Sequence, residues 1–149
     1  MSTRSKMIYL AGTISYFYKN NEMDKAIGWR YKLIDQLLDD IAEKCESKWD
    51  WFDPTLNFEE NYDTVNNKSV LMQNIHYLQK SDIMVCNLDK LEESPGTLFE
   101  IFYFGEVLKR PIICTGWSDW AKSPHIEPYI TCILKSDKVM TYLDNLYYQ

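Results

Sequence analysis

Three short apolar runs constrain this chain more than anything else in it: MIYLA at 7–11, IMVCNL at 83–88 and PIICT at 111–115. Each is too short for a buried helix and too uniformly apolar for a strand with one wet face. Each therefore reads as a strand covered on both sides, the mark of a parallel sheet. Around them the apolar residues recur at helical spacing. Over 23–45 the positions Ile27, Tyr31, Ile34, Leu37, Leu38 and Ile41 alternate with charges at three- and four-residue intervals. Over 69–79, Leu71, Ile75 and Leu78 share one face, with Asn74 on the same face and so turned inward. Trp49, Trp51 and Phe52 read as a further strand stopped by Asp53-Pro54, and 131–134 as a last one before a closing helix over 136–146. Ser94-Pro95-Gly96 turns the chain into a helix over 97–108. The polar stretch 55–68 has little periodicity and reads as a long surface loop of the kind that serves as a lid.

Strands alternating with helices predict an α/β fold. The expectation is a three-layer sandwich with a five-stranded parallel sheet, flavodoxin- or Rossmann-like, in one domain over 1–149. In strand order 2-1-3-4-5 the winding reverses between the first and third strands, and ligands bind outside the carboxyl ends at that reversal. The two most turn-like junctions, Gly12-Thr13 and Ser94–Gly96, then face each other across the crevice.

The net charge of −6 gives no overall field for duplex DNA or an anionic membrane. The expected partner is a small molecule, not a nucleic acid polymer and not a bilayer. A nest of backbone N–H groups can still hold a phosphate. Four cysteines (Cys45, Cys86, Cys114, Cys132) form no CxxC pair and read as free thiols of a cytoplasmic protein. Two histidines with no ligand partner at i+3 or i+4 argue against zinc, so neither metal nor other cofactor is expected. Aromatics make up 15% of the chain, which suits a crowded core, a subunit interface or a pocket that stacks flat rings.

The helix expected over 97–108 has almost no polar face, since Leu98, Phe99, Ile101, Phe102, Tyr103, Phe104, Val107 and Leu108 crowd it. Its own sheet can cover only one side, which predicts a homodimer or larger assembly. Glu100 sits in its first turn. Burial raises a carboxyl's pKa while the helix N-terminus favours the anion, and an ionised but poorly solvated carboxylate is a good nucleophile. The alternative at this point is a first-turn acid that complements the helix dipole.

IYLAGTIS at 8–15, QKSDIMVCNLD at 79–89 and SPGTLFEIFYFGEVLKRPII at 94–113 together resemble the nucleoside 2-deoxyribosyltransferase family. The likeness spreads over 7–115 and is most specific over 81–113. It implies a retaining, two-step reaction. The carboxylate matching Glu100 attacks C1′ of the sugar, the base departs, and the glycosyl-enzyme passes the sugar to a second base or to water. Tyr9 matches a tyrosine close to the nucleophile. Gly12 and Thr13 match the turn that approaches the sugar or its 5′ end, and Gly96 and Thr97 belong to the GT-x-x-E core.

Two positions depart from the transferases. Ser94 stands where they have an acid six residues before the nucleophile. It resembles the related 2′-deoxynucleoside 5′-phosphate N-hydrolases, whose serine helps hold the phosphate; a turn or helix-capping serine is the alternative. Asn74 stands where both branches have an aspartate that serves the sugar and the proton traffic to the base. An amide bonds a hydroxyl but delivers no proton, which leaves Asp89 as a candidate acid. Family members complete the site from a neighbouring subunit, and His125, Glu127 and Tyr129 are the candidates here. Tyr16-Phe17-Tyr18 and Trp29-Arg30 read either as ring-stacking and phosphate-holding groups or as core. Two other functions stay open. One is a phosphoribohydrolase of the lysine-decarboxylase-like group, whose doubled glycine is missing. The other is a nucleotide sensor without catalysis.

Overall fold

The computed structural model describes residues 5–44, 48–56 and 67–147. Five strands, β1 (Lys6–Gly12), β2 (Trp49–Phe52), β3 (Ile83–Asn87), β4 (Ile112–Thr115) and β5 (Cys132–Ile133), lie all-parallel in the order β2-β1-β3-β4-β5. That is the sheet the apolar runs imply. Helices α1 (Ser15–Lys19), α2 (Met23–Lys44), α3 (Asn67–Lys80), α4 (Pro95–Phe102) and α5 (Val139–Tyr147) complete the described elements, with short 3-10 turns between.

The central strands β1, β3 and β4 feed two cores. On one face Tyr9, Met84, Cys86 and Ile112 pack with Leu78 of α3 and Ile101 of α4. On the other, Ile8, Leu10, Val85 and Ile113 pack with Leu33 and Leu37 of α2 and Val139 and Leu143 of α5. The period-two alternation therefore buries both sets along β1, β3 and β4, with Asn87 and Thr115 standing at the carboxyl ends of β3 and β4. Cys86 and Cys114 are buried free thiols, register partners on β3 and β4.

Three local readings change. The buried stripe of α2 is Ala26, Arg30, Leu33 and Leu37, whereas Tyr31 and Leu38 face water. A charged residue at a core phase had rotated the apparent apolar face. The helix expected over 97–108 is two windings: α4 ends at Phe102 and Tyr103–Val107 forms a π turn, sealed by Leu108 N–H donating to the Tyr103 carbonyl at 3.0 Å. The segment Tyr16-Phe17-Tyr18 forms a helix of its own, α1, too short to show a period in sequence. The lid expected over 55–68 falls mostly outside the described residues.

Candidate active site

α4 begins at Pro95, where a missing N–H costs nothing because first-turn donors have no helical partner. The Leu98 N–H closes the first helical bond on the Ser94 carbonyl at 3.1 Å. The Ser94 side chain makes no bond to the backbone; its hydroxyl pairs instead with that of Thr97 at 2.6 Å. Capping therefore does not account for this serine. One turn further, Glu100 points back toward β1 and accepts a hydrogen bond from the Tyr9 hydroxyl. Tyr9 packs against Phe52, tilted at 5.5 Å, and Tyr77 in turn stacks on Phe52 at 4.0 Å.

Burial pushes the Glu100 carboxyl up to about 7, against the Tyr9 hydrogen bond and the Arg30 charge, which pull it down. Burial and the adjacent Glu100 push Tyr9 well above the ordinary phenol range, so Tyr9 stays a proton donor at neutral pH. Only Oε2 of Glu100 is bonded to Tyr9. The other oxygen of a half-ionised, poorly solvated carboxylate is then the group with the most to gain from an electrophile.

A cavity of about 730 Å³ opens over this carboxylate. Glu100, Asn74, Gly12, Ser94, Gly96 and Thr97 all line it, and Tyr9 supports it from behind. Asn74 is turned inward as its helical phase requires, and its Oδ1 is buried with no hydrogen-bond partner. Such an acceptor is costly unless a ligand donor meets it. Tyr16 and Lys19 of α1 form another wall, so Tyr16 is placed where a ring could stack, while Phe17 is core.

Thr13 does not join this set. Its hydroxyl donates to the carbonyls of Asp89 and Lys90, both at 3.0 Å, and pins the loop after β3. It lines an adjacent cavity of about 510 Å³, together with Trp29, Asp89 and Trp117. Asp89, the candidate acid, lies in that second cavity too, and its Oδ1 accepts the Trp117 N–H at 2.9 Å. Glu92 borders both cavities. Gly12 has a packing reason as well as a pocket one: at φ 156° a Cβ would stand 3.1 Å from the Trp29 ring and 3.3 Å from the Asn87 carbonyl. His125 and Glu127 are exposed, and Tyr129 packs edge-on against Phe102 of its own chain. Among the described residues no group of three His, Cys, Asp or Glu side chains could hold a metal ion.

Sequence reasoning left Arg30 between a core and a phosphate-holding role. It is fully buried and forms an ion pair with Asp53, Nε to Oδ1 at 3.6 Å. Neither residue belonged to a recognisable motif. The available signal was Arg30's phase, one helical turn after Ala26 and one before Leu33 on the buried stripe.

The fold is that of three-layer α/β proteins, with a crevice at the carboxyl edge of the sheet where the winding reverses. Among solved structures it shares the fold of a 2-deoxyribosyltransferase from the psychrotolerant bacterium Bacillus psychrosaccharolyticus, at 16% identity and a TM-score of 0.64 over 91% of each chain. It also shares the fold of a conserved protein from Enterococcus faecalis V583, at 13% identity and a TM-score of 0.67, covering 96% of this chain and 99% of that one. No family model and no curated protein matches the sequence. No helix among the described residues is long and apolar enough to cross a membrane.

Proposed function

We propose that this is a cytoplasmic nucleoside 2-deoxyribosyltransferase-like enzyme. It cleaves or exchanges the N-glycosidic bond of deoxynucleosides or their 5′-monophosphates through a covalent glycosyl–Glu100 intermediate. The observation that carries this reading is the Tyr9–Glu100 pair at the base of a cavity of about 730 Å³, room for a nucleotide. The shared fold with a 2-deoxyribosyltransferase supports it.

In the first step the free oxygen of Glu100 attacks C1′. The C1′–N bond breaks and its electron pair leaves with the base. In the second step a nitrogen of another base, or water, attacks C1′ and returns the carboxylate. The Tyr9 hydroxyl holds the second carboxylate oxygen and orients the attack. Ser94, Thr97 and the first N–H groups of α4 offer hydroxyl and backbone donors to a 5′-phosphate, with Lys19 across the cavity. The Asn74 Oδ1 accepts from a sugar hydroxyl or a base N–H. It delivers no proton, so the departing base takes its proton from solvent and turnover is slow.

The enzyme works as a homodimer or larger assembly. Phe99, Phe102 and Val107 stand exposed along α4 and the π turn, an apolar face that a second copy would cover.

Incubation with a deoxynucleoside and a second free base, with and without a 5′-phosphate, tests the reading. An exchange product means transferase. Free base and sugar phosphate alone mean hydrolase. Asn74 favours one rival, a nucleotide-binding domain that has lost catalysis. That rival predicts calorimetric binding of a nucleotide with no base release across the whole panel.

A further inference from the structure

A second cavity adjoins that of Glu100, and no step of the proposed reaction uses it. It encloses about 510 Å³, room for a single or fused flat ring. Its walls come from loops after β1, β3 and β4, and each loop is tied to the next. The Thr13 hydroxyl, after β1, is shared between the Asp89 and Lys90 carbonyls after β3. Asn87 Oδ1 accepts the Asp89 N–H at 2.9 Å, and Asp89 Oδ1 accepts the Trp117 N–H, after β4, at 2.9 Å. Gly116, at φ 70°, lets these loops meet: a Cβ there would stand 2.5 Å from Asn87 Oδ1 and 2.6 Å from Asp89 Oδ1. Lys90 is held at φ 60°, ψ 29°, a left-handed conformation that a lysine keeps only where its surroundings impose it. Walls tied in this way are formed before any ligand arrives, which spares the ligand the cost of ordering them.

Two indoles line this cavity, Trp29 and Trp117. Trp29 is fixed from behind, with the Arg30 guanidinium carbon 4.6 Å from its ring centroid. Gly12 sits at its edge, where a Cβ would stand 3.1 Å from Cζ2 of the ring. The Trp117 ring is 48% exposed, a large apolar surface left to water at a concave site. Rings so placed stack flat ligands.

The polar groups say which flat ligand fits. Lys25 and Lys90 are offset by Asp89 and Glu92, so the lining carries no net charge that would favour a simple anion. Both cations are also engaged: Lys25 pairs with Glu22, and the Lys90 ammonium lies 5.7 Å from the Tyr16 ring centroid. Glu92 accepts the Ser118 hydroxyl at 2.9 Å. Asp89 differs from these. Its Oδ1 is taken by Trp117, while its Oδ2 accepts no hydrogen bond among the described residues. A carboxylate oxygen beside two indoles suits a ring that carries N–H donors.

We propose that this cavity is a second binding site, for a neutral planar heterocycle bearing N–H donors, of the purine or pyrimidine base class. The ring stacks on Trp29 and Trp117 and donates to Asp89. The site does not depend on chemistry at Glu100, although a free base is also what the proposed reaction would release or accept.

Tryptophan signals make the site readable. In protein labelled with 5-fluorotryptophan, ¹⁹F NMR resolves the tryptophans, and Trp29→Phe and Trp117→Phe assign the two that matter. Adenine is the probe. It should move the Trp29 and Trp117 signals on one saturable curve and leave that of buried Trp49 in place. Benzoate, flat and anionic with no N–H to give, should bind about tenfold more weakly. Trp117→Ala, at a half-exposed ring, should weaken adenine about tenfold, read at Trp29. Glu100→Ala should leave the titration unchanged, so the nucleophile reading and this site fail separately. Trp29 and Trp117 signals that ignore millimolar adenine would overturn the proposal. So would benzoate binding as tightly as adenine, a Trp117→Ala protein that binds like wild type, or shifts that vanish in Glu100→Ala.

Discussion

Burial lifts the Glu100 carboxyl from an ordinary 4.5 to about 7, so between those values the folded protein holds a proton that the unfolded chain has released. Linkage fixes the sign: stability falls as pH rises through that window and levels off above it. Glu100→Gln removes the titration. It should match wild type in urea unfolding at pH 4 and exceed it at pH 8 by about 3 kcal/mol, a gain bought with activity. An equal difference at both pH values would contradict a raised carboxyl. Asn74→Asp places a carboxyl where Oδ1 now lacks a donor, and it should speed base release by about 100-fold if proton delivery limits turnover. Base release assayed from pH 5 to 8 checks this. At this scale the grouping of Ser94, Gly96, Thr97 and Glu100 on one cavity wall was legible because they stand in a contiguous pattern. That Thr13 turns to the neighbouring cavity was not legible, because a hydroxyl's partner is decided by a loop 76 residues away. Arg30 and Asp53 were not legible as a pair, because a buried ion pair has no local spacing.

The π segment after α4 lies close against a neighbour. A Cβ on Gly105 would stand 2.8 Å from Tyr129 ring atoms, closer than packed atoms come. Gly105→Ala should therefore cost about 2 kcal/mol, read as a lower urea midpoint. Adding Tyr129→Ala should recover part of that loss on a double-mutant cycle, because the obstacle goes with the ring. The sequence over 97–108 looked like one helix because every residue there is helix-compatible and apolar. The close approach that requires glycine at 105 comes from Tyr129, which lies well downstream. The strands were readable to within a residue or two for the opposite reason. A strand buried on both faces has an apolar run with polar ends, and both signals are local.

For the whole molecule, the sheet order followed from the alternation of elements and the right-handed crossover rule, which leave few topologies. Its quaternary state is a question of uncovered surface. Phe99 is 43%, Phe102 49% and Val107 55% exposed, large values for aromatic and aliphatic residues that share one helical ridge. Sedimentation velocity at micromolar concentration should show a dimer or larger species, and Phe102→Glu should give a monomer. A monomeric wild type would leave that ridge unexplained. The central claim concerns what one carboxylate does inside this frame, and base release from a deoxynucleoside 5′-monophosphate tests it most directly. Wild type should liberate free base, and Glu100→Ala, still folded, should do so about 1,000-fold more slowly or not at all. Base release by Glu100→Ala at the wild-type rate would contradict the account.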